Sequence, residues 1–316
     1  MMKKIVFAEP IGISPEASKS FSKEMEALEY DVIFYDSKPV SQSELQQRIV
    51  DAEILVIANY PLAAQTLQSC PNLKLIAVAF TGIDHVPIDY CKENSISVCN
   101  AAGYSTNAVA ELTITLAISL LRNVVYFDSI TRKNGTRENF LGGELFGKTF
   151  GILGYGAIGK RVAHLAKAFG SKVIVSTRTP QNDATVKFVS TEDLFKQADI
   201  ISLHVPATSE TVGLVSGNLI KLMKPTSILI NTARGAIVDY SALSKALQDG
   251  KISGAAIDVY EHEPPIDSDH PILTAPNTIL LPHIAYATKE AIELRTNIVL
   301  SNIKAWLAGF SQNIVS

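Results

Sequence analysis

A chain of 316 residues is longer than one hydrophobic core usually supports, which argues for two domains. With 47% hydrophobic and 19% charged residues and a formal net charge of −3, it excludes disorder and offers no basic face for nucleic acid. Its three cysteines, Cys70, Cys91 and Cys99, are odd in number and lack metal-ligand spacing, so a disulfide framework is excluded and a reducing cytoplasm suits them.

In chain order, the opening "MMKKIVFAEP" meets Glu9 and Pro10 too early for a signal segment. Short β-branched runs then alternate with helical patterns, the rhythm of parallel sheets covered on both faces. Strands are expected at residues 4–8, 31–35, 54–58, 73–79 and 97–100, with helices over 15–28 and 43–51. Residues 106–122 read as a buried helix, apolar on most faces. Its run "LTITLAISLL" is well short of the roughly 20 residues a bilayer requires, so no membrane partner is expected. The polar stretch "RKNGTRENF" follows. A second series begins at Lys148, with six strands expected at 149–153, 172–176, 200–205, 227–231, 254–259 and 278–281, then a helix over 289–307. Periodicity alone places one domain cut between Asn100 and Lys148.

"GILGYGAIGKRVAHLAKAFGSKVIVSTRTP" carries the first chemistry. Gly154 permits a tight turn after the strand, and Gly156 lets the backbone approach a pyrophosphate. Gly159 lets helix and strand pack closely. An acidic residue that holds the adenosine ribose normally follows about 20 residues later. None occurs from Lys160 to Asn182; the second strand ends in Ser176-Thr177-Arg178-Thr179. Thr177 removes the repulsion of a 2′-phosphate, Arg178 offers it a planar set of donors, and Ser176 and Thr179 add hydroxyls. The expectation is NADP, with NAD possible if Arg178 is only a solvated loop charge.

Three later strand ends carry ionisable groups, where open α/β sheets gather catalytic residues. In "ILINTARGAIVD", Arg234 stands just past an apolar strand, suited to fork a carboxylate or else to cap the next helix. In "GAAIDVYEHEPP", Asp258 sits inside an apolar strand and needs a partner, with Glu261 and Glu263 close behind. In "TILLPHIAYAT", His283 is either a packing residue or a proton donor. A nearby acid would raise its pKa, and the spacing leaves open which glutamate reaches it. The other histidines show no metal pattern, and no GxSxG or Cys–His arrangement supports nucleophilic hydrolysis.

Together with "LHVPATSETVGLV" and "AFTGIDHV", these segments make nearly the whole chain resemble the D-isomer-specific 2-hydroxyacid dehydrogenase family. The resemblance implies a Rossmann dinucleotide-binding domain, residues 101–287, inserted in a flavodoxin-like substrate domain made of 1–100 and 288–316, with the site in a cleft between them. It implies that Arg234 binds the carboxylate and carbonyl of a 2-keto acid and that His283 is the general acid–base. It makes Glu263, not Glu261, the partner of His283. Ala157 and Ile158 would give backbone contacts to the pyrophosphate, and Thr106 would reach the cofactor. His204, Val205 and Pro206 would line the cofactor cleft, Thr232 and Ala233 would flank the nicotinamide, and Asp258 would lie by its ribose. Amides of Thr81 and Gly82 would meet the substrate carboxylate. A homodimer formed through the nucleotide domain is also implied.

Two departures stand out. Tyr286 replaces the small residue usual after "His-Ile-Ala" and would narrow the pocket. Phosphoglycerate dehydrogenases of the family carry arginines where Ile57 and Val78 are aligned, which disfavours a phosphorylated substrate. "ANYPLAAQTL" and "GYSTNAVAEL" are similar to the glycerate dehydrogenase and hydroxypyruvate/glyoxylate reductase branch. The expected reaction is NADPH-dependent reduction of hydroxypyruvate or glyoxylate to the D-2-hydroxy acid. The alternatives are an NAD-dependent dehydrogenase for lactate-like or branched acids and a cofactor-sensing corepressor-like protein.

Overall fold

The computed structural model describes residues 2–262 and 265–316. The chain forms two compact units, Met1–Ser105 with Ala287–Ser316, and Thr106–Tyr286, so one is inserted in the other. The first unit contains β1 (Lys3–Phe7), β2 (Tyr30–Phe34), β3 (Ala52–Ile57), β4 (Leu75–Val78) and β5 (Ser97–Asn100). They pair in parallel in the order β2-β1-β3-β4-β5, the flavodoxin-like arrangement. Every residue of β3 and β4 is buried, as expected of strands covered on both faces. Ile57 and Val78 are among them, inside the core of this sheet.

The second unit contains β6 (Thr149–Leu153), β7 (Lys172–Ser176), β8 (Lys187–Phe188), β9 (Ile200–Leu203), β10 (Ile228–Asn231), β11 (Gly254–Ile257) and β12 (Thr278–Leu280). Their order is β12-β11-β10-β9-β6-β7-β8, all parallel: the Rossmann order with one further strand at the β12 edge. Seven strands form where six were expected, because β8 is a two-residue edge strand too short to show alternation. Successive residues point to opposite faces, so Ile152, Ile228 and Ile230 enter one core while Leu153, Leu229 and Ile257 enter another. Helix Thr106–Arg122 covers the first of these faces with Ile114, Leu116 and Ala117.

A second helix, Val124–Thr131, follows after a 57° bend at Asn123, which adopts a left-handed conformation. This helix was not apparent from the sequence, and none of its residues is buried. Among the described residues no single helix is long and apolar enough to cross a membrane.

Candidate active site

In a parallel sheet all the carboxyl ends lie at one edge, and the crevice opens where the strand order reverses, here between β6 and β9. The expected site residues of the second unit are distributed along that edge. The His283 segment follows β12, Asp258 follows β11 and Arg234 follows β10. His204 to Pro206 follow β9, the glycine turn follows β6, and Ser176 ends β7. From β12 to β7 there are six adjacent strands, so the row spans roughly 24 Å.

The glycine turn is built for close approach. Gly154 has φ +100°, and a Cβ there would meet the His204 carbonyl carbon at 2.6 Å; a Cβ on Gly159 would collide with the Gly154 carbonyl. Both glycines are therefore required by packing. A Cβ on Gly156 would meet nothing within 4 Å. Gly156 is also the N-cap of helix Ala157–Ala168 and offers no side-chain cap. The amides of Ala157, Ile158 and Gly159 thus open the helix without an intrahelical acceptor, beside empty space. These features fit a pyrophosphate.

On one side of the turn, His204 shares a hydrogen bond with Ser202, and burial pushes its pKa down to about 3, so it is neutral near pH 7. On the other, the end of β7 is arranged differently from expectation. Ser176 is buried and its hydroxyl pairs with Thr191 at 2.9 Å. Thr177 is half-buried, while Arg178 and Thr179 are exposed. Arg178 pairs with Glu210 at 3.2 Å. An acid does return to the glycine turn from just beyond Asn182. Asp183 accepts from the Tyr155 phenol (2.8 Å) and from the amide and hydroxyl of Thr185. The Thr185 bonds and then the Tyr155 bond lower the Asp183 pKa to about 2; burial, reinforced by Asp183, raises the Tyr155 phenol to about 12.

At the other end of the row, three loops are fastened to one another by buried polar groups. Asp258 is fully buried, and its two oxygens accept the amides of Ile284 and Ala285, each at 2.8 Å. This is the partner that a carboxylate in an apolar strand demanded, and it ties the loop of His283 to β11. His283 itself has φ +58°, a left-handed conformation that costs a non-glycine residue about 1–2 kcal/mol. The Tyr286 ring meets the His283 imidazole edge-on at 5.4 Å. His283 opens on a pocket of about 340 Å³ lined by Tyr260, Ile266, Leu280 and Leu281.

Arg234 is half-buried and extends from a turn stapled by Asn231, whose amide accepts from Ala233 and donates to the Arg234 carbonyl. Its guanidinium donates to the Ala233 carbonyl at 2.8 Å. Thr232 is buried, its hydroxyl paired with Thr113 at 3.2 Å; Ala233 is half-buried. Gly235 presses so closely on Tyr260 and Glu261 that any Cβ would overlap their backbone. Glu261 pairs with His270 at 3.0 Å. Glu263 lies outside the described residues.

Thr106 begins helix Thr106–Arg122 and is half-buried. In the first unit, Thr81 and Gly82 occupy the loop after β4, where Asn100 donates to the Thr81 carbonyl at 2.8 Å. Sequence reading missed Asn231, Gly235, Asp183 and Glu210 as parts of this edge. For Asn231 the signal was present: a polar residue at the end of an apolar strand needs buried partners, the same argument that drew attention to Asp258.

Comparison with known proteins supports the family and the fold. Residues 114–285 match the family model for the D-isomer specific 2-hydroxyacid dehydrogenase, NAD binding domain. The chain is 38% identical to the glycerate dehydrogenase of Methylorubrum extorquens, covering 100% of this chain and 99% of that one. It is 37% identical to the glyoxylate reductase of Thermococcus litoralis, over 88% of this chain and 87% of the relative. Among solved structures, an acyclic imino acid reductase in complex with NADPH and D-Arg superposes with a TM-score of 0.90 at 30% identity, covering 99% of this chain and 100% of that one. The NADPH-dependent glyoxylate/hydroxypyruvate reductase of Sinorhizobium meliloti, in complex with NADP and malonate, has a TM-score of 0.85 at 27% identity, covering 100% and 97%. The chain belongs to the D-isomer-specific 2-hydroxyacid dehydrogenase family, in its glycerate dehydrogenase and glyoxylate reductase branch.

Proposed function

We propose that the protein reduces a small 2-keto acid, hydroxypyruvate or glyoxylate in preference to others, to the D-2-hydroxy acid with NADPH. The observation that carries this reading is the row of strand ends: an arginine, a histidine-bearing loop and a phosphate-sized glycine turn lie along one edge of one sheet. Residues 106–286 would hold the dinucleotide, and the first unit would supply Thr81 and Gly82 to the substrate.

A bound reduced nicotinamide supplies the hydride that goes to C2. The remaining work falls to side chains. Arg234 takes the substrate carboxylate in its planar fork and fixes the orientation of the carbonyl. His283 gives its proton to the oxygen that becomes the alcohol, and Glu263 favours the imidazolium from which that proton leaves. The amides of Ala157 and Ile158 receive the pyrophosphate, and neutral His204 adds no charge beside it. Thr177 in place of a carboxylate, with Arg178 next to it, supports NADPH over NADH.

We also infer a homodimer. Helix Val124–Thr131 exposes Val124, Val125 and Tyr126, while Leu141 and Phe146 of the same unit are exposed as well, an apolar surface that a second copy would cover. A cytoplasmic location fits the thiols: all three cysteines are free and buried, with burial pushing Cys91 up to about 11 and Cys99 up to about 12.

The test is a panel of 2-keto acids, with and without an added amine, run with NADPH and with NADH and followed by nicotinamide absorbance. Fastest turnover of hydroxypyruvate or glyoxylate with NADPH is expected. Turnover only when amine is present would move the assignment to imine reduction, and none with any pair would end the reductase reading.

A further inference from the structure

We propose that Tyr240 is a positioning residue for Arg234, acting through Asn231; the proposal rests on the reading of Arg234 as the substrate clamp. Tyr240 opens helix Tyr240–Gln248, whose N-cap is Asp239, and is only 2% exposed. A tyrosine buried this far needs a partner for its hydroxyl. It has two. The hydroxyl donates to the Val259 carbonyl at 2.6 Å and accepts from the Asn231 amide at 3.1 Å. The same Asn231 nitrogen donates to the Arg234 carbonyl at 2.9 Å, and the Asn231 oxygen accepts the Ala233 amide at 3.0 Å.

One phenol therefore connects the turn that presents Arg234 to the segment directly after Asp258. That segment is the one joined, through the Asp258 carboxylate, to the His283 loop. Gly235 brings the two backbones into contact, but contact alone leaves sliding free. The Tyr240 hydroxyl fixes the register, because its donor and acceptor directions are both used. Its ring is held in turn by His270, edge-on at 5.2 Å, and by Tyr260 at 6.3 Å. The guanidinium and imidazole thus share a frame joined by the hydrogen bonds of three buried side chains, Asn231, Tyr240 and Asp258, and Tyr240 is the joint on the arginine side.

The experiment is Tyr240→Phe in the full-length protein, which keeps the ring and deletes the hydroxyl. The KM for hydroxypyruvate should rise on the order of tenfold, kcat should fall less, and NADPH affinity measured by fluorescence should stay at the wild-type value. A role through Arg234 also predicts non-additivity: in an Arg234→Lys background, adding Tyr240→Phe should cost little more. Asn231→Ser, which keeps an acceptor for Ala233 but loses the amide donors, should reproduce the KM rise and covers the case in which Tyr240→Phe folds poorly. An unmoved keto-acid KM in both variants, or a Tyr240→Phe loss that persists in full without Arg234, would overturn the proposal alone. Wild-type protein that turns over no 2-keto acid would instead remove the reading beneath it.

Discussion

The two ends of the candidate site belong to one sheet edge but are built in opposite ways. At the β10–β12 end the polar groups that set the geometry are Asp258 and Asn231, both 0% exposed, and Tyr240, 2% exposed. At the β7 end the charges are Arg178 and Glu210, whose side chains are 84% and 69% exposed. A buried hydrogen bond that is lost leaves an orphan, which makes its geometry obligatory. An exposed ion pair exchanges with water and contributes little. The β10–β12 end is thus rigidly specified, whereas the β7 end is free to be tuned by single surface substitutions.

The strongest way to break that comparison is at the imidazole. His283→Ala should reduce turnover by roughly 10²–10⁴-fold, the usual contribution of a positioned general acid, while NADPH binding stays close to normal. Turnover within a factor of two of wild type would remove His283 from proton transfer.

Next comes the anchor beneath it. In Asp258→Asn one of the two acceptor oxygens becomes an NH₂ that faces a backbone N–H, so the amide of Ile284 or Ala285 loses its partner. A buried orphan of this kind costs about 1–3 kcal/mol, and the His283 loop should loosen with it. Thermal unfolding should move down by several degrees and turnover should fall about tenfold. A variant with wild-type melting and wild-type rate would mean that the carboxylate does not fasten the loop.

Those two ends were not equally legible in the sequence. Strands such as Ala52–Ile57 and Ile228–Asn231 announce themselves because burial on both faces favours apolar runs, here residues 54–57 and 228–230. The glycines at 154, 156 and 159, Arg234 and His283 were legible as candidates because each follows a strand end. Partners were not. That Asp258 holds the amides of Ile284 and Ala285, or that Tyr240 reaches Val259, depends on tertiary neighbours 26, 27 and 19 residues away. The β7 end was least legible. The pairing of Ser176 with Thr191 gave no sequence signal, and neither did the proximity of Glu210, 32 residues from Arg178. Helix Val124–Thr131 was missed because none of its residues is buried, so no strong amphipathic stripe marks it.

A smaller effect tests the middle of the row. His204 is kept neutral by burial, its pKa lowered from 6.5 to about 3, so it takes up a proton only on unfolding between those values. Its contribution to stability is therefore intact above about pH 6.5 and declines as pH falls toward 3. His204→Asn keeps a polar group for Ser202 and cannot titrate. Its melting temperature should fall less steeply than that of wild type between pH 6.5 and 4; parallel slopes would show that the histidine is already charged in the folded protein.

The smallest expected effects lie at the exposed pair, and they sharpen the comparison most. If Arg178 receives the 2′-phosphate, Glu210 competes for the same guanidinium at 3.2 Å and also repels the incoming anion. Removing the arginine and removing the acid should then move coenzyme preference in opposite directions. Arg178→Ala should lower the NADPH-to-NADH ratio of kcat/KM by about tenfold, the scale of one charge-assisted contact partly screened by water. Glu210→Gln should raise the ratio by about twofold to threefold, and added salt should shrink both changes, because the pair is solvated. Neither variant should alter the KM for the keto acid, which depends on the buried end of the row. A shift in the same direction from both substitutions would mean that Arg178 serves the loop and not the phosphate, and the preference for NADPH would then need another source than the end of β7.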